Sequence, residues 1–185
     1  MYNDDTKKTS PLGGTRMKVP DDVAELLSKI YQKKVVLFIG NGATVDAGGP
    51  KTKGLVTTIK DAFPDAVYRD DDFIHTCTDV LETTRTSKRE LEEVVKKQLF
   101  DLKPGSFHTE LPRHIWRAVF TTNYDDLIEQ GYRSVKDRVQ NLDPIFGDRG
   151  HITLGDSENL KLFKLMGCIV SQHPDAGLVL MTRPQ

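Results

Sequence analysis

The feature that most narrows the fold of this chain is Val35-Val36-Leu37-Phe38-Ile39 running straight into Gly40-Asn41-Gly42. Five apolar residues, mostly β-branched or aromatic, read as a buried strand of a parallel sheet. The Gly-x-Gly after them, with Ala43-Thr44-Val45-Asp46-Ala47 and Gly48-Gly49-Pro50 behind, reads as a tight loop of small residues at the strand's carboxyl end. Loops of this kind let a backbone come close to a pyrophosphate and aim amide groups at it. The same pattern also serves as a plain turn. Asp46 fits a loop-stabilising Asx turn.

Alternation of such strands with helical periodicity predicts an α/β chain, Rossmann-like, with a mostly parallel sheet flanked by helices. Val23, Leu26, Leu27, Ile30 and Tyr31 form one apolar stripe behind Pro20-Asp21-Asp22, which suits a helix start. Helices are predicted from Leu55 to Phe63, stopped by Pro64, and through Phe73, Ile74, Cys77, Val80 and Leu81. Another is expected from about Ser87 to Phe100, and a short one from His108 to Trp116 with Pro112 in its first turn. Arg69-Asp70-Asp71-Asp72 reads as a solvated cap rather than a metal loop.

A second strand, Ala118-Val119-Phe120-Thr121, ends in Thr122-Asn123-Tyr124-Asp125-Asp126, with helix predicted from Leu127 to Gly131. Short strands are expected near Val135–Asn141 and His151–Leu154. A further strand runs from Leu160 to Gly167, and one is expected at Leu178–Thr182. In open parallel sheets ligands bind at the carboxyl ends of strands, so Asn123 and Asp125 belong to the candidate site. Either could instead cap the helix that follows. Residues 1–19, polar with Pro11, Gly13 and Gly14, are expected to form a mobile tail, and 20–185 one domain.

Composition excludes several classes. The net charge of -1 gives no bulk attraction for nucleic acid or a membrane surface, and no apolar run approaches the ~20 residues of a spanning helix. Cys77 and Cys168, the two cysteines, are too few for a disulfide framework or a structural zinc site. A reduced, cytoplasmic setting is the expectation. Cys77 reads as core.

Three segments in order resemble the sirtuin (silent information regulator) family. Gly40, Gly42, Ala47, Gly48 and Pro50 match its Gly-Ala-Gly-x-Ser-x-x-Ala/Ser-Gly-Ile-Pro loop, with Thr44 for the serine and Asn41 and Gly49 departing. Thr121-Thr122-Asn123-Tyr124-Asp125 is similar to Thr-Gln-Asn-x-Asp, and looks most like the Thr-Thr-Asn-Tyr-Asp of sirtuin-like bacterial antiphage-defence proteins. Lys164-Leu165-Met166-Gly167 resembles the strand end Lys/Glu-Leu-His-Gly. The resemblance implies NAD or ADP-ribose as ligand. Gly40, Asn41, Gly42, Ala43, Thr44, Gly48, Pro50 and Thr122 would contact the dinucleotide. Asn123 would order the attacking water with Asp125 beside it. Developing oxocarbenium-like charge at the ribose carbon suits uncharged amides and nearby carboxylates.

Without the zinc module of the protein deacylases, the resemblance points to NAD binding or hydrolysis, with no zinc or other metal. It also implies a homo-oligomer, or a fused or associated sensing module, and a chain that is part of a longer protein. Met166 stands where the family has its catalytic histidine, and a thioether takes no proton near neutral pH. Three readings stay open: a silent NAD- or ADP-ribose-binding sensor, a hydrolase whose base is another histidine (His108, His114, His151 or His173), or an engineered substitution. A different Rossmann-type domain, with Asp61 or Asp65 holding a ribose, is the remaining alternative.

Overall fold

The elements form where apolar periodicity and end signals agree. The computed structural model describes residues 20–146 and 158–168. Helix α1 spans Asp21–Tyr31, strand β1 Val36–Ile39, and a single turn of helix, α2, Gly42–Asp46. Helices α3 (Thr52–Ala62), α4 (Phe73–Thr83) and α5 (Lys88–Leu99) follow. Asp72 caps α4 by accepting from the amides of Ile74 and His75, as expected of the acidic loop. Ser87 and Glu90 cap α5 reciprocally. Next come α6 (Ser106–Glu110), a 3-10 turn (Leu111–Arg113), β2 (Ala118–Thr121), α7 (Leu127–Ser134), β3 (Asn141–Phe146) and β4 (Asn159–Lys164).

The four strands make one all-parallel sheet in the order β1-β2-β4-β3. The α/β, Rossmann-like expectation therefore holds. Ile39 pairs with Thr121 and Thr121 with Lys164, so the three motif-bearing strands end level with one another. One sheet face carries Leu37, Ile39, Val119, Leu160 and Leu162 into a core with Ile30, Leu111, Trp116, Ile128 and Tyr132. Helices α3 to α5 build a second core around Ile59, Cys77, Val80, Leu91 and Val95, against which Tyr124 packs. The other sheet face bears a ladder of rings, Phe38 to Phe120 at 6.5 Å and Phe120 to Phe163 at 4.5 Å.

Several expectations change. Strand β1 is buried on one face only: it lies at the edge of the described sheet, and Val36 and Phe38 are 47% and 66% exposed. Of the α1 stripe only Ile30 is buried; Val23, Leu26, Leu27 and Tyr31 are exposed. The predicted helix at His108–Trp116 is divided, because Pro112 has no N–H and the chain tightens there into the 3-10 turn that contains it. The strand expected near Val135–Asn141 begins only at Asn141, because the residues between α7 and it form turns and bends. The tail at 1–19 and the strands at His151–Leu154 and Leu178–Thr182 lie outside the described residues. Among the described residues no helix is long and apolar enough to cross a membrane.

Candidate functional site

The level ends of β1, β2 and β4 decide what can meet. Thr44 on α2, and Asn123 and Asp125 after β2, form one hydrogen-bonded group. The Thr44 hydroxyl donates to Asp125 Oδ2 at 2.5 Å and accepts from Asn123 Nδ2 at 3.1 Å. All three side chains are buried. Asp125 Oδ1 also accepts the amide of Leu127 at 3.1 Å, so this carboxylate caps α7 and holds Thr44 at once. Asp125 thus meets both the first amide of α7 and the threonine of the glycine loop. Asn123 does not cap: its side chain turns to Thr44, and its own amide donates to Thr121 Oγ1 at 3.0 Å.

A cavity of about 300 Å³ opens beside this group. Its wall on the sheet side is Asn41, Thr44, Thr122, Asn123, Asp125 and Met166. Thr52 and Leu55 of α3, Phe73 and Ile74 of α4, and Leu99 of α5 form the opposite wall. Nothing in the local sequence marks these five as site residues. They ride on helices whose apolar spacing reads as core, and only tertiary packing turns some of them toward the site. Met166 is 6% exposed, placed where a side chain faces both core and cavity.

The glycine loop divides into two kinds of position. A side chain at Gly40 or Gly42 would meet nothing within 4 Å, which leaves room for a ligand to approach. Gly48 has φ +80, a conformation that side chains rarely adopt. Asn41 Nδ2 donates to the Pro50 carbonyl at 3.3 Å and closes the loop, so those two residues act together. Ala43 is buried against the sheet core, and Thr122 donates its amide to Ile39, tying β2's end to the loop's start. Asp46 does not make the expected Asx turn. Its Oδ2 accepts the amide of Phe107 at 3.2 Å, tethering the loop to the start of α6.

Beneath the site lies His108, buried, with Nδ1 accepting from the Gly105 amide at 3.2 Å and Nε2 without a hydrogen-bond partner. Burial holds its imidazole below the ordinary range, against the pull of Asp125 and Asp46. It does not line the cavity. His114 lies beside Trp116 and Glu110, away from the site, and His151 and His173 lie outside the described residues. Burial, with the charge of Asp72 adding, pushes the Cys77 thiol up to about 12, which fits its core role. Among the described residues no cluster of metal-ligating side chains occurs.

A parallel sheet whose strand ends gather a polar group beside a glycine loop defines a Rossmann-like protein with its candidate site at the carboxyl edge. Within that class, residues 117–184 are similar to the SIR2-like domain family, whose model they match. The matched stretch holds the Thr121–Asp125 and Lys164–Gly167 segments, while the Gly40–Pro50 loop lies before it. The match supports a sirtuin-like, NAD-related function. No curated protein gives a significant match to the chain.

Proposed function

We propose that the chain binds NAD at the carboxyl ends of β1, β2 and β4 and belongs to an NAD-hydrolysing, nicotinamide-releasing system of the bacterial defence type. The observation that carries the reading is the Thr44–Asn123–Asp125 group beside a cavity lined by Met166. The residues suit the ligand. Gly40 and Gly42 leave open space for a pyrophosphate in a cleft shared with Phe38 and Phe107, and Thr122 and Asn123 line the cavity that holds Met166, with Asn41 and Thr44 of the same loop. Asn123 spends its amide hydrogen on Thr44, which leaves its side-chain carbonyl to accept from a water or a ribose hydroxyl. Asp125, held by Thr44 and the Leu127 amide, adds negative charge where positive charge develops on the ribose.

A second reading rests on Met166. With a thioether in the histidine's place, that position offers no group that takes a proton near neutral pH, and loss of a general base costs about 10²–10⁴ in rate. On this reading the domain is a silent NAD or ADP-ribose sensor or assembly module, working as a homo-oligomer or with a fused or associated sensing partner in the cytoplasm, without zinc.

Nicotinamide release and melting temperature are measured together with NAD present. Binding raises the melting temperature. The hydrolase reading expects nicotinamide release that Asn123→Ala abolishes and Met166→His raises. The sensor reading expects a raised melting temperature with NAD left intact. No thermal shift with NAD or ADP-ribose and no release, in wild type and Met166→His alike, overturns both.

A further inference from the structure

A lysine at a strand end usually reaches for solvent, but the side chain of Lys164 is 0% exposed. Register explains its direction. Lys164 pairs with Thr121 and shares the inward face of Leu160 and Leu162, so its stem runs toward α7. Its ammonium donates to the main-chain carbonyl of Asp125, and Cys168 Sγ donates to the same oxygen at 3.4 Å. Glu129 Oε1, in the first turn of α7, lies 3.4 Å from the ammonium.

This arrangement is costly to build. A cation at a helix N-terminus opposes the helix dipole, and a buried ion pair is rarely more stable than apolar side chains of the same volume. Burial works against the charge on Lys164, yet the carboxylates of Glu129 and Asp125 outweigh it and keep the ammonium above the ordinary lysine range, while burial pushes the Glu129 carboxyl up. What the charge achieves is local. It grips the one peptide carbonyl whose residue sends its carboxylate to Thr44 and to the Leu127 amide.

We infer that Lys164 and Glu129 form a positioning clamp: they fix the main chain at Asp125, and through it the Thr44–Asn123–Asp125 group that faces the ligand cavity. Neither lines the cavity, so both act through Asp125 and not on a ligand directly. The inference rests on the NAD-binding reading for its functional consequence, while its geometric half can be tested without any ligand.

The test uses the whole chain as wild type, Lys164→Met, Glu129→Gln and the double variant. Three quantities are read: urea midpoint, NAD affinity by calorimetry, and amide hydrogen exchange without ligand. Lys164→Met is expected to speed exchange at Asn123 and Leu127 about tenfold and to weaken NAD binding about tenfold, the scale of one lost charged hydrogen bond. Amides of α5 keep their rates. The double variant removes both buried charges and regains most of the lost stability, but not the affinity. A merely structural pair predicts that affinity returns with stability, and that result overturns the clamp. Glu129→Gln keeps the shape of the helix turn, so it folds if Lys164→Met does not. In it, exchange at Asn123 and Leu127 is again faster, and wild-type exchange there overturns the clamp. Should wild type bind no NAD, the functional reading falls, and the exchange rates alone decide the clamp.

Discussion

Replacing Thr44 by valine keeps the shape of a side chain that is 1% exposed and removes only its hydroxyl. That hydroxyl serves two buried partners, accepting from Asn123 Nδ2 at 3.1 Å and donating to Asp125 Oδ2 at 2.5 Å. Its loss strands one amide hydrogen and one carboxylate oxygen. Each buried polar group left without a partner costs about 1–3 kcal/mol, more when charged. The adjoining cavity admits water, which lowers the cost, so about 2–4 kcal/mol is expected for Thr44→Val. Thr44→Ser keeps the hydroxyl and loses a methyl. That methyl packs so tightly on Gly49 that an added Cβ there would lie 2.7 Å from it. Deleting one buried methyl costs about 0.5–1.5 kcal/mol. Urea unfolding at 25 °C is therefore expected to rank wild type above Thr44→Ser and Thr44→Ser above Thr44→Val. NAD affinity should follow the same order. If Thr44→Val is as stable as Thr44→Ser or more so, the hydroxyl bridges nothing that matters, and the reasoning about the site fails with it.

Other perturbations follow from the same geometry. Gly131→Ala places a Cβ 2.3 Å from the His108 carbonyl where α6 crosses α7, and a loss of about 1–3 kcal/mol in urea unfolding is expected. Ile59→Ala, fully buried in the helical core, should cost about 2–5 kcal/mol, whereas Phe38→Ala at the exposed edge should cost under about 1 kcal/mol in the same assay. His108 sets a pH dependence. Its folded pKa lies below the unfolded value of about 6.5. Stability present above that pH is therefore lost as pH falls toward the folded value, because the unfolded chain takes up the proton first. Thermal unfolding from pH 5 to 8 should show a shallower slope in His108→Gln.

Much of the fold was legible because β-branched runs stop at glycine or polar residues. Val35–Ile39 and Ala118–Thr121 are cases, and α3 to α5 carry clear apolar periodicity. Strand β3 was obscured by Asp143 and Pro144. It tolerates the proline because it lies at the edge of the described sheet, where Pro144 pairs with Leu162 on one side only. The edge position of β1 was hidden too, since strand order is set by distant pairing and not by local sequence. At the site, Thr44, Asn123 and Asp125 could be named from their motifs, and the structure brings them together. Lys164 and Glu129 could not be paired from the sequence, where one ends a strand and the other looks like an ordinary helix charge. Asp46 reads locally as a turn residue, while its partner, the amide of Phe107, is supplied by a distant segment.

The order of the strands has a consequence for how the chain reaches its fold. Joining β1 and β2 to the more local β3–β4 pair requires Val36 to find Ala118 and Val119 to find Leu162. Each pairing closes a long loop before any contact rewards it, which makes this sheet slow to form. The core of α3 to α5 is drawn almost wholly from one contiguous stretch between Leu55 and Leu99, and its contacts are short in sequence. Pulsed hydrogen exchange during refolding is expected to protect Val80, Leu91 and Val95 first and the β2 amides last. The wall of the cavity would then stand before its floor, and a ligand that needs both could bind only after the slowest step of folding.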